Sequence, residues 1–238
     1  MIRGILIAGN ESSLTQAIAA EAARRVEHFV YTLIPNRPGP EVPVSPSSFL
    51  GETDHKNSIE QETLSPAAIP LTWNPGSPIS ARTLLLGAEN RLSRIDEAVL
   101  VCVPPALRCR PAELPPAEAE TMVEENIKGW FFLVRELALF FTVKKSGTLA
   151  LALNEIASGG SRDDAADLLG PAAAASFSAL TRSILASASA EPWLTMGFSS
   201  SETGDEEAFA SFIWKRLDEG SKRVSGKLHK YGKLNLFR

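Results

Sequence analysis

The sequence predicts an α/β protein: a doubly wound, mostly parallel sheet of about seven strands with helices on both faces. Three observations predict it. Short apolar runs alternate with amphipathic stretches along all 238 residues. Runs such as EAVLVCV and TLALAL are apolar without alternation, as strands buried on both faces are. The first run, GILIAG, passes through a turn straight into a helix, the arrangement that offers helix N-terminal amides to a phosphate.

GILIAG (4–9) is the first strand, with a turn at Gly9-Asn10. SSLTQAIAAEAARRV is an amphipathic helix with Ser12 or Ser13 as its cap. HFVYTLI is a second strand, ended by Pro35. The Pro/Ser-rich segment 38–68 is too long for a simple connection and reads as an inserted arm. AIPLTW (68–73) is a third strand, SARTLLLGAENRLSRI (80–95) a helix, and EAVLVCV (97–103) a buried strand. A long helix spans 116–145, TLALAL (148–153) is a further strand, and 171–189 is a helix rich in Ala and Ser. PWLTMGF (192–198) is a sixth strand and DEEAFASFIWKRLDE (205–219) a helix. The basic tail 220–238 carries the pattern SGKLHKYGKLNLF, which adds a last strand. No internal repeat interrupts this order, and the whole of 1–238 reads as one domain.

Composition narrows the function. A net charge of −4 gives no reason to expect nucleic-acid binding. Cys102 and Cys109 have no metal-ligand spacing and read as reduced thiols. The most apolar stretch, 129–143, contains Arg135 and Glu136 and falls short of the ~20 residues that cross a bilayer. No leader is read at the N-terminus, so the expectation is a cytoplasmic protein without a membrane segment. The cluster Glu155, Asp163, Asp164 and Asp167 follows a buried strand and reads first as a solvated loop with helix-start acids, with a metal or cationic ligand as the alternative. No metal site is expected. The tail's lysines and arginines offer a surface to an acidic protein partner, though solvated charge is the plainer account.

Several motifs resemble the short-chain dehydrogenase/reductase family, whose fold is Rossmann-type. Members open on Thr-Gly-x-x-x-Gly-x-Gly; the same register here is Ala8-Gly9-Asn10-Glu11-Ser12-Ser13-Leu14-Thr15. RIDEAVLVCVPPA (94–106) stands where the family has Asp-x-Leu-Val-Asn-Asn-Ala-Gly. ENIKGWFF keeps the family's Asn-x-x-Gly as Asn126 and Gly129. GTLALALNE (147–155) stands for the strand that ends in Ser-Ser, and Leu180-Thr181-Arg182-Ser183 repeats a helix motif. The resemblance covers most of the chain outside 38–68 and the tail.

The resemblance implies hydride transfer between NAD or NADP and a carbonyl or alcohol. In that chemistry a Tyr moves the proton, a Lys four residues on favours its phenolate, and a Ser polarises the carbonyl. Anchored on Leu180–Ser183, the Tyr position falls at Gly170 and the Lys position at Ala174; 146–214 contains neither residue type. The Ser position falls at or near Asn154, and of the family's catalytic set only Asn126 is kept. Asn126 and Asn154 are therefore the candidate catalytic residues.

Candidate cofactor-binding residues are Gly9, Ser12, Ser13 and Thr15 in the loop, Arg37 after the second strand, and Asn74 after the third. Gly9 keeps the tight turn, while Ser13 and Thr15 put side chains where the family's glycines admit pyrophosphate. Their hydroxyls and the helix N-terminus still offer hydrogen bonds to a phosphate. Arg37 suits an adenosine 2′-phosphate or a plain loop; Asn74 suits adenine or a turn in Asn-Pro-Gly. Binding of NAD or NADP is accordingly expected to be weak or absent.

The leading expectation is a catalytically divergent or inactive member acting as a binding or scaffold subunit. The alternative is an NAD(P)-dependent oxidoreductase using non-standard groups. The helix 116–145 is apolar nearly all round, which asks for a second burial surface. In the family this helix and the next pair across a two-fold axis, so a homodimer or dimer of dimers through 116–145 and 171–189 is expected. Packing against the 38–68 arm competes with it.

Overall fold

The computed structural model describes residues 3–34, 66–107, 109–154, 167, 169–201, 204–220 and 224–232. Seven strands form one sheet: β1 (Ile5–Asn10), β2 (Phe29–Ile34), β3 (Ala68–Pro70), β4 (Glu97–Cys102), β5 (Thr148–Asn154), β6 (Leu194–Ser200) and β7 (Lys227–Tyr231). Their order is β3-β2-β1-β4-β5-β6-β7, and all six pairings are parallel. The order runs outward in opposite directions from β1 and β4, as a doubly wound sheet requires.

The helices are α1 (Ser13–Ala23), α2 (Pro78–Leu92), α3 (Pro116–Val123), α4 (Gly129–Lys144), α5 (Gly170–Ser187) and α6 (Glu206–Glu219). Two cores separate the layers. On one face Leu14 and Ile18 of α1 meet Phe209, Ile213 and Trp214 of α6 over Ile7, Val99 and Met196. On the other, Leu84 of α2, Trp130, Leu133 and Phe141 of α4, and Phe177 of α5 cover Leu6, Leu100 and Leu151. Every residue of β1, β4 and β5 is buried, so their unbroken apolar runs follow from having helices on both sides.

Of the boundaries that differ from the sequence expectations, three bear on the rim, the central helix and the sheet edge. β1 continues through Asn10, which moves the turn to Glu11-Ser12. The single helix expected over 116–145 is divided by a π turn at Glu124–Lys128. The third strand stops at Pro70, at the sheet edge, where a proline's missing N–H is tolerated. The tail does add a strand, parallel to β6 at the other edge. Arg37, nearly all of 38–68, and Glu155, Asp163 and Asp164 lie outside the described residues. Among the described residues no helix is long and apolar enough to cross a membrane.

Candidate functional site

Open α/β sheets bind ligands outside the carboxyl ends of their strands, where the strand order reverses. Here the reversal lies between β1 and β4. The strand ends place Asn10, Cys102, Asn154, Ser200 and Tyr231 along this rim, and the register aligns Asn154 with Ser200 and Ser200 with Tyr231.

The turn after β1 is tied down on every side. Ser12 is extended and caps α1: its Oγ accepts from the Thr15 N–H at 3.2 Å, and its carbonyl accepts from Gln16 at 3.1 Å. The Ser12 and Thr15 hydroxyls lie 2.9 Å apart, and Thr15 Oγ1 donates to the Asn10 carbonyl at 2.7 Å. The Glu11 N–H is spent on the Ile34 carbonyl at 3.0 Å, joining the ends of β1 and β2. Thr15 is fully buried, and a Cβ placed on Gly9 would lie 2.6 Å from its methyl carbon. Gly9 is thus required by close approach of Thr15, while Thr15 fills the space that a glycine there would leave open.

Ser13 is exposed. With Gln16 and Ala17 of α1 it faces Asp205, Glu206 and Glu207 at the start of α6 across a cavity of about 510 Å³. Three carboxylates beside this helix start oppose an anionic ligand.

Asn126 sits in the π turn and is buried. The wider turn brings its side chain to β1, where its Oδ1 accepts from Asn10 Nδ2 at 2.7 Å. Asn10 Oδ1 in turn accepts from the Val103 N–H at 2.9 Å. Pro104 and Pro105 follow, and neither has an N–H. Positions 103–105, at the exit of β4, therefore leave no backbone donor for a ligand.

Asn154, 6% exposed, ends β5, and its Oδ1 has no hydrogen-bond partner among the described residues. Among the described residues it is a buried acceptor on this rim without a donor. The first turn of α5 carries no acid–base pair. Gly170 begins the helix, and a Cβ there would lie 2.4 Å from Asp167 Oδ2. Asp167 Oδ1 accepts from the N–H groups of Gly170 at 3.0 Å and Leu107 at 3.2 Å. This carboxylate ties the first N–H of the helix to the chain leaving β4. Among the described residues no group of three or more His, Cys, Asp or Glu is arranged to hold a metal ion.

The two tyrosines are elsewhere. Tyr31 is buried within β2, and burial, with the Glu11 carboxylate adding to it, pushes its phenol up to about 12. Tyr231 lies between Phe209 and Phe212 and donates to Asp205. Cys102 is a buried free thiol whose pKa burial pushes far up. Asn74 is a turn residue: its Oδ1 accepts from the Gly76 N–H at 3.0 Å. Asn10 and Asp167 organise this rim, and sequence reasoning gave neither that part. The signal available for Asn10 was a polar residue closing an apolar, buried strand.

No protein-family model and no curated protein sequence matches this chain. Solved structures do. Levodione reductase is similar over 96% of this chain and 95% of its own, at 12% identity and a TM-score of 0.66. A short chain dehydrogenase from Bacillus anthracis str. 'Ames Ancestor' covers 96% and 94% at 13% identity, with a TM-score of 0.68. A short-chain type dehydrogenase/reductase from Mycobacterium marinum covers 96% and 92% at 13% identity, with a TM-score of 0.71. Over 96% of its length the chain matches structures of the short-chain dehydrogenase fold.

Proposed function

We propose that this chain is a catalytically divergent protein of the short-chain dehydrogenase fold that serves as a binding or scaffold subunit, with a weakened hold on NAD or NADP. One observation carries the reading. The first turn of α5, where the family reaction keeps its phenol and ammonium, holds Gly170 beneath the Asp167 carboxylate. General acid–base help of the kind this removes is worth ~10²–10⁴ in rate. The fit to a dinucleotide is also poor. The Ser12 and Thr15 hydroxyls bond to each other and to the loop, and the Glu11 and Val103 N–H groups are already bonded. Carboxylates stand beside Ser13. What remains for a phosphate is the open end of α1.

Titration of the purified chain with NADH and NADPH, followed by nicotinamide fluorescence, tests this. No saturation up to millimolar cofactor is the expected result; a micromolar Kd overturns the reading.

The second reading is an NAD(P)-dependent oxidoreductase using other groups. Supporting it are three solved neighbours that are dehydrogenases or reductases and the buried Asn154 Oδ1, which has no partner among the described residues and ends β5 on the rim. Cofactor-dependent turnover lost in Asn154→Ala would establish it.

Assembly belongs to the same proposal: a homodimer, or a dimer of dimers, through 116–145 and 171–189. Phe131, Leu139 and Val143 of α4 are exposed to 48%, 49% and 85%, and Ala172, Ala175 and Ala179 of α5 are exposed as well. Alanines on such a face let a second helix approach closely.

A further inference from the structure

We infer that Asn10 is a latch across the switch-point crevice, holding shut the place where a dinucleotide's phosphates would enter. The inference rests on the weak-binding reading above and gives it a cause. The chain leaving β1 turns to α1 on one face of the sheet, and the chain leaving β4 turns toward α3 and α4 on the other. The gap between these two exits is the crevice of a doubly wound sheet. Among the described residues the Asn10 side chain crosses it. Asn10 comes from the β1 lip, takes the Val103 N–H of the β4 lip at 2.9 Å, and donates to Asn126 of the central helix at 2.7 Å.

The orientation of the amide is fixed by its partners. Val103 N–H can only donate, so Oδ1 faces it and Nδ2 is left for the side-chain Oδ1 of Asn126. Both asparagines are 2% exposed. Each of their bonds therefore lies in low dielectric, where a buried polar group is costly to leave unpaired. The Asn10 main chain is held too, since its carbonyl accepts from Thr15 Oγ1 at 2.7 Å. For a phosphate seated between the lips, positions 103–105 offer one backbone donor from the β4 side, the Val103 N–H. The latch consumes it. Ligand entry then requires the Asn10 carboxamide to release Val103 and Asn126 together.

The test is a gain of binding, which mere loss of stability does not produce. Full-length wild type, Asn10→Ala and Asn126→Ala are titrated with NADH and NADPH by nicotinamide fluorescence, with circular dichroism to verify the fold. Freeing one N–H for a charged acceptor corresponds to roughly a tenfold gain or more. Asn10→Ala is expected to bind at least about tenfold tighter than wild type. Asn126→Ala, which leaves the Val103 bond in place, is expected to gain less. Asn10→Ser, which keeps a small polar group at the strand end, replaces Asn10→Ala if that variant does not fold. Folded variants that bind no tighter than wild type overturn the latch. Wild type and variants equally weak sink the latch alone; a micromolar wild type with tighter variants sinks the weak-binding reading alone.

Discussion

A backbone N–H already bonded to protein is not on offer to a ligand, and the loop after β1 is decided at that scale. Thr15 is the pivotal residue: its N–H, its hydroxyl and its methyl group are all used within the loop. Gly9 and Thr15 should therefore be coupled. Gly9→Ala is expected to cost about 1–3 kcal/mol by overpacking. In a Thr15→Ala background the same change should cost less, giving a non-zero coupling in a double-mutant cycle read by urea denaturation. Equal costs in both backgrounds would falsify the packing account.

Neighbouring carboxylates at the other end of the sheet should respond to pH with opposite signs. Glu97 is raised above the usual carboxylate range by burial, against the opposing effect of Arg3 at 2.5 Å. Its charged form is thus disfavoured by folding, and the penalty vanishes below the unfolded pKa of ~4.3. Glu97→Gln should be at least as stable as wild type at pH 7, with any advantage gone below about pH 4. Asp96 is also desolvated, but bonds from Arg94, the Gly4 N–H and Lys144 outweigh that and lower it. Its stabilisation is present above the unfolded ~3.9 and is lost as pH falls through the folded value. Asp96→Asn should accordingly lose stability at pH 7. Thermal melts from pH 3 to 8 check both signs.

At the scale of elements, legibility followed burial. β1, β4 and β5 could be read from sequence because a strand covered on both faces must be apolar throughout. The π turn could not, because EENIKGW suits an α-helix residue by residue. Its cause is tertiary: Asn126 meets Asn10, 116 positions earlier in the chain. The start of α5 was half legible. The register pointed to Gly170, but only the structure put the Asp167 carboxylate against it. Restoring the family's residues there should therefore fail. Gly170→Tyr with Ala174→Lys is expected to lower stability and to give no dehydrogenase turnover, because the new side chain meets a carboxylate fixed by two N–H bonds. Asp167→Ala alone should cost about 1–3 kcal/mol, the scale of losing N–H bonds to a charged acceptor. Adding Asp167→Ala to the double variant should recover part of its stability. Denaturation midpoints, with NADPH turnover assayed against a carbonyl panel, decide it.

Across the whole molecule, the sheet's needs do not account for α4. Its inward stripe of Trp130, Leu133, Val134, Leu137 and Phe141 suffices to cover the sheet face. Phe131, Leu139 and Val143 nevertheless face water, and Leu86 of α2 is exposed as well. Leu86, Leu139 and Val143 line one groove between α2 and α4, together with Arg82, Arg135 and Glu136. A contiguous apolar patch with a polar rim marks an interaction surface. A net charge of −4 on 238 residues leaves little long-range repulsion to keep two copies apart. Light scattering after size exclusion should give at least twice the chain mass for wild type. Leu139→Glu with Val143→Glu should give the monomer, since a two-fold interface places each new carboxylate in the buried patch of both copies. Both positions are exposed in the single chain, so the melting temperature extrapolated to low concentration should change little. A wild type that runs as a monomer at every concentration removes the assembly half of the proposal and leaves the rim chemistry as it stands.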